Sequence, residues 1–201
     1  MKELCLGLYK PLYETLTMQT AALVVGIFLI LIHAIALLWE SNLRDKLKAL
    51  PRSQNAGTIL LTIGFIWAYV VATCIDLGDF ERLRWLAQFA CPVIYVAMLF
   101  WVNDYLGARA LGILTLLAAC PLLDAAWMKT IRLEHDSRWV LNLVCYVWLT
   151  LGMFWIGMPY TLRDQIAWVQ KFQARYRGLA FVGLAYGTAL VVMSFTVWKG
   201  L

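Results

Sequence analysis

Charge is scarce in this chain. Of its 201 residues 14% are Asp, Glu, Lys or Arg, where a soluble domain carries about a quarter. That shortfall excludes a conventional solvated surface. Histidine is scarcer still, with only His33 and His135, so a multi-histidine metal or bis-histidine haem site inside the apolar segments lacks its ligands. The five cysteines, Cys5, Cys74, Cys91, Cys120 and Cys145, contain no CxxC pair, which argues against a redox or zinc motif. There is no GxSxG, HExxH, P-loop or GxGxxG, and the aspartates are not paired and Gly-flanked as in membrane phosphotransferases; the familiar hydrolase, metalloprotease and nucleotide-binding classes therefore have no foothold. No basic tail or basic-aromatic module is present, so nucleic acid is not an expected partner.

What the chain has instead is apolar length. Hydrophobic residues make up 63% and the mean hydropathy is +0.73. They arrive in blocks of about 20, the number that spans a ~30 Å hydrocarbon layer at 1.5 Å per residue. The expected fold is all-α: a polytopic integral membrane protein, a bundle of about six transmembrane helices with short interfacial helices. The blocks lie at about 18–39, 57–75, 86–102, 105–128, 140–162 and 179–198, so a six-span domain over 18–201 follows an interfacial segment over 1–17. In that segment Leu4, Leu8, Leu12 and Leu16 repeat every four residues between charges, which suits a short helix lying in the interface and broken near Pro11. It has no apolar h-region, so no cleavable signal is expected. Trp39, Trp85, Trp101, Trp127, Trp139, Trp168 and Trp198 fall at block ends or in flanking segments, the depth amphipathic rings prefer. Ile166, Val169, Phe172 and Tyr176 recur at helical spacing in the connector 163–178, which suits a helix lying flat.

Six spans place both termini on one face. Lys and Arg divide eight on that face and nine on the other. The acids concentrate with the termini, so connectors 40–56 and 163–178 are weighed as cytoplasmic and their basic residues as contacts for anionic headgroups. The net charge of +5 reads the same way. The size and span number resemble small bacterial inner-membrane proteins. A shift of 88 residues aligns Trp39 with Trp127, Gly64 with Gly152, Trp67 with Trp155 and Asp76 with Asp164; an inverted repeat of three spans would give such an echo, and so would composition alone.

Few residues stand out as carriers of chemistry. Asp124 lies one turn inside the end of the fourth block. A carboxylate there needs a partner, a proton or water: it is a proton or cation candidate, or an interface residue paired with Lys129. Cys91-Pro92 and Cys120-Pro121 repeat an Ala-Cys-Pro step in neighbouring blocks. Each proline frees the carbonyl four residues back, so two kinks at matched depth could open a small polar pocket including Cys120 and Asp124; ordinary packing is the alternative. His33 is a possible haem or pigment ligand or a hydrogen-bonded packing residue. Gly183 and Gly187 form a GxxxG step for close helix approach, within the chain or to a partner. Arg109 is expected to snorkel, Asn142 and Ser194 to bond between helices, and Asp76, Asp79 and Glu81 to form a solvated connector. Three functions follow in order of support: a non-catalytic subunit or scaffold packing against other membrane proteins or itself; a small transporter or proton/cation pathway using Asp124, with Pro92 and Pro121 as moving parts; and a membrane enzyme or haem/pigment binder using His33.

Overall fold

A computed structural model describes residues 2–102, 104–128 and 136–200. The proposed tight turn at Asn103 and most of the connector after the fourth block, Lys129 to His135, lie outside the described residues. Among the described residues all regular structure is helical and no strand occurs. The helices are α1 Lys2–Tyr13, α2 Met18–Leu38, α3 Glu40–Ala49, α4 Gln54–Cys74, α5 Arg84–Phe100, α6 Leu106–Met128, α7 Trp139–Gly157, α8 Tyr160–Gln170 and α9 Gln173–Thr196. Six helical segments, built on α2, α4, α5, α6, α7 and α9, are long and apolar enough to cross a membrane.

Local chemistry sets the boundaries. Thr17 and Thr20 form a reciprocal cap, each hydroxyl accepting the other residue's backbone N–H at 3.1–3.2 Å, so α2 starts at Met18. Ser53 caps α4 by accepting the Ala56 N–H at 3.2 Å. The fifth block ends early: α7 stops at Gly157, and Pro159 starts α8 with φ −65°. The pyrrolidine removes a donor and drives Met158 out of the helical region, to φ −128° and ψ 72°, so 140–162 covers one long helix and the start of a second, shorter one. The short helix expected over 163–178 is correspondingly earlier, at Tyr160–Gln170, and α9 begins at Gln173. The connector after α2 is helical as well. Glu40 in its first turn and Lys46 and Lys48 in its last complement the dipole of α3. Pro11 does not break α1, which continues to Tyr13; with so few residues beyond the proline, one lost hydrogen bond is tolerated.

Packing is organised as two close antiparallel pairs, α2 with α9 and α6 with α7, plus α4 against α6. Each contact has a glycine at its closest point. A Cβ on Gly187 would lie 2.8 Å from the Gly26 carbonyl oxygen, and one on Gly26 would lie 2.8 Å from the Gly187 oxygen. Gly112 and Gly152 meet in the same way at 2.8 and 2.9 Å, and Gly57 lies against Leu106 and Gly107. The two pairs join in a cluster built from Met18, Ala22, Val25, Ala119, Ala126, Leu141, Cys145 and Leu190. Trp198 belongs to that cluster. It is fully buried, and its indole N–H donates to the Ser137 hydroxyl at 2.9 Å. The ring stands at the end of α9 but is turned into the core, where it ties that end to the start of α7. Trp39, Trp85, Trp101, Trp127, Trp139 and Trp168 are exposed, as a boundary position requires.

The packing does not reproduce the 88-residue echo. The shift carries α2 onto α6 and α4 onto α7, yet α6 packs extensively on α7 while α2 makes no comparable contact with α4. One aligned pair is nonetheless used alike: Gly64 and Gly152 both lie against α6, at Ile113–Leu114 and at Gly112–Leu116.

Gly187→Ala inserts a methyl against backbone and is expected to cost about 1–3 kcal/mol. Gly178→Ala meets nothing within 4 Å and is expected to be neutral or stabilising by up to about 1 kcal/mol. Thermal unfolding in detergent micelles separates the two.

Candidate functional site

His33 sits on α2 facing α9. Its Nδ1–H donates to the Leu29 carbonyl at 2.7 Å, which in that tautomer leaves the lone pair on Nε2. The Nε2 edge fills the notch at Gly183: a Cβ there would fall 2.2 Å from Nε2. Gly183 and Gly187 therefore serve a contact within the chain, one receiving an imidazole and the other the α2 backbone. The geometry describes a packed histidine whose outer nitrogen is turned into a helix contact.

Asp124 is exposed on α6, beside the N-terminal helix. Its charge reaches Tyr9 of α1, whose phenol is pushed above its ordinary value first by burial and then by Glu14 and Asp124. Among the described residues none donates a hydrogen bond to the Asp124 carboxylate; its suggested partner Lys129 is outside them. Cys120, one turn earlier, is exposed and its thiol donates to the Leu116 carbonyl at 3.4 Å.

The two Cys-Pro steps do not share a pocket. Pro121 is buried and lines an apolar groove of about 300 Å³ with Leu12, Leu16, Phe28, Trp67 and Trp148. Pro92 is on the outer side of α5, in an apolar hollow of about 520 Å³ with Phe89, Val93, Val96, Phe100 and Trp101. Cys91 faces a third space of about 140 Å³ between α4, α5 and α6. The reason is topological. α5 packs mainly on α4, where Tyr95 meets Phe65 at 4.8 Å and its hydroxyl bonds to the Thr62 hydroxyl at 2.9 Å. The prolines of α5 and α6 thus point into different surroundings.

Other expected polar roles change. Arg109 does not snorkel free: its Nη1 donates to the Ile156 carbonyl at 2.9 Å and its Nε to the Asp104 carbonyl at 3.3 Å, so it caps the C-terminus of α7. Ser194 bonds within α9, donating to Val191 at 2.7 Å, as a helix-embedded serine readily does. Asn142 is 3% exposed, and its Oδ1 has no partner among the described residues. The acidic connector is a capped turn: Asp76 accepts the Gly78 N–H at 2.9 Å and Glu81 pairs with Arg84 at 2.5 Å, with Gly78 at φ +52°. Among the described residues no group of three His, Cys, Asp or Glu side chains is placed to hold a metal ion.

The richest polar assembly lies where the connectors 40–56 and 163–178 meet the start of α6. Glu40 accepts from Arg44 at 3.4 Å and from Arg177 at 3.0 Å. Arg44 and Gln170 exchange hydrogen bonds through their side chains and backbone carbonyls at 2.6 and 3.0 Å. Tyr176 donates to the Ala36 carbonyl at 2.9 Å. Tyr105, at φ +56°, receives Arg52 at 2.8 Å and Arg163 at 3.0 Å on one hydroxyl oxygen. The sequence reading missed Tyr105. Its only signal was a tyrosine between two turn residues and a helix start, because the partners come from connectors 53 and 58 positions away.

No family model, curated protein or solved structure matches the chain.

The Arg52 hydrogen bond, aided by the charges of Arg163 and Arg52, holds the Tyr105 phenol below its ordinary value of 10.0. A phenol whose folded pKa is depressed adds stability as it ionises, so the ionisation-linked part of the gain over Tyr105→Phe is absent at neutral pH and grows as pH rises towards 10.0. Phenolate absorbance is expected to show one tyrosine titrating ahead of the others, missing from Tyr105→Phe.

Proposed function

We propose that the chain is a multi-pass membrane protein acting as a non-catalytic subunit or scaffold, and that α5 is the face it offers to another membrane chain. One observation carries this reading. None of the 17 residues of α5 is buried, whereas each of α2, α4, α7 and α9 buries five or six. α5 is attached through one side only, and its opposite side is the concave apolar strip around Pro92. A second transmembrane helix seated in that strip would supply the close packing that holds helices together in lipid, where burial of apolar surface contributes little. The rest of the bundle supports the same reading. Its closest contacts are backbone to backbone, its core is apolar but for a few residues such as Asn142, and most of its charges stand at helix ends or in connectors. The face carrying α3 and α8 is proposed as cytoplasmic, because Arg44, Lys46, Lys48, Arg52, Arg163 and Lys171 gather there.

The transport reading rests on Asp124 and its neighbourhood with Glu14 and Tyr9 beside α1. It has a direct test: proton or cation flux in vesicles holding the purified chain, abolished by Asp124→Asn, would carry it over the subunit reading.

For the subunit reading, a photo-crosslinking residue at Val96 on α5 is expected to give one discrete, saturable protein adduct in native membranes. The same residue at Val182, exposed on α9, is expected to give none. Lipid adducts alone at both sites would remove α5 as the docking face.

A further inference from the structure

The geometry points to a phosphate-binding site for an anionic headgroup at the Arg52–Tyr105–Arg163 cluster, where two guanidiniums and a phenol from three connectors converge at the rim of the bundle.

The donors are set out for such a ligand. Arg52 places Nη2 2.8 Å from the Tyr105 oxygen and Arg163 places Nη1 3.0 Å from it. Both guanidiniums also lie over the ring, at 5.1 and 5.9 Å from its centroid. A phenol has two acceptor directions and one proton. With both acceptor directions filled, the Tyr105 O–H is left to donate, and among the described residues it meets no acceptor. Arg163 spends its Nε and Nη2 edge on Asp164, at 2.8 and 2.7 Å, which leaves Nη1 for the cluster. Arg52 makes no ion pair among the described residues. Arg109 is nearby in sequence but engaged on Ile156 and Asp104. Two like charges thus share a neutral oxygen, with one carboxylate offsetting one of them. The uncompensated charge is about one, which matches a monoanionic phosphodiester better than a dianion.

The position also suits a headgroup. Tyr105 directly precedes α6 and is half-buried, Arg52 and Arg163 are exposed, and Trp101 at the end of α5 is 86% exposed. That is the depth at which aromatic rings and basic side chains meet phosphates. The left-handed backbone at Tyr105, unusual for a bulky residue, turns the ring between the two arginines; a helical conformation there would not. Guanidinium forks bind phosphate oxygens in pairs, with charge-assisted strength.

The test is native mass spectrometry of the full chain purified in detergent, titrated with phosphatidylglycerol, with zwitterionic phosphatidylcholine, and with soluble glycerophosphoglycerol, the monoanionic phosphodiester headgroup without its acyl chains. The wild type is expected to retain one phosphatidylglycerol in preference to phosphatidylcholine. R52Q/R163Q is expected to lose about tenfold or more in affinity, and Y105F about threefold. The double variant K46Q/K48Q, which removes the same charge from exposed positions on the same face, is expected to bind as the wild type does. Glycerophosphoglycerol binding at equal affinity with the same dependence on Arg52 and Arg163 would support the phosphate site and assign its ligand to solution. Undiminished phosphatidylglycerol retention in R52Q/R163Q, or an equal loss in K46Q/K48Q, would overturn the site.

Discussion

The contact on which the rest of the structure depends is glycine backbone against glycine backbone between apolar helices. In lipid the hydrophobic effect does little to distinguish one helix partner from another, so association rests on close packing, weak Cα–H···O contacts and the few hydrogen bonds that can be made. The reciprocal pairs Gly26–Gly187 and Gly112–Gly152 create two such surfaces, each with a carbonyl where a methyl group would stand. Larger side chains close around them, Ile30 and Val191 at the first pair and Trp155 and Ile156 at the second, and the His33 ring fills the Gly183 notch. At these two contacts the helices leave no room between them for a side chain.

Polarity follows the same rule. The charged side chains that are engaged cap helix ends or staple connectors: Arg109 on Ile156, Arg44 with Gln170, Arg177 with Glu40, Arg84 on the end of α4. Helix termini are where backbone groups lack partners, and the interface is where charge is least costly. Exceptions mark themselves out. Asn142 is an amide inside an apolar core, and Tyr105 gathers two cations of which Asp164 offsets only one. The first has no account in its surroundings; the second has the shape of an anion site.

Much of the fold was legible in the sequence, because hydrocarbon thickness and the 1.5 Å rise leave little freedom in the length of an apolar block. Most tryptophans also marked the ends truthfully. Boundaries failed where one residue overrode composition, as Pro159 did by dividing an apolar run into α7 and α8. Partner choice was not legible: helices apolar on every side do not announce which face meets which neighbour, and the matched Ala-Cys-Pro steps suggested a shared pocket that the attachment of α5 to α4 precludes. Gly183 and Gly187 were visible as a close-approach signal, yet their counterparts Gly26 and His33 on α2 were not. Tyr105 escaped notice because a left-handed tyrosine has no sequence signature and its partners are more than 50 positions away. Trp198 escaped because burial and interfacial anchoring look alike at the end of an apolar block.

On the proposed reading, the unburied helix α5 and the basic rim give the protein interactions that are lateral and peripheral. That claim is tested most directly by the mass of the particle extracted from native membranes in mild detergent, with the identity of every chain in it. The account predicts a fixed-stoichiometry complex containing this chain and at least one other membrane-spanning chain or copy, dissociated by a bulky polar substitution on the outer face of α5. A monodisperse single chain, unchanged by that substitution and conducting protons or cations in a manner dependent on Asp124, would contradict it.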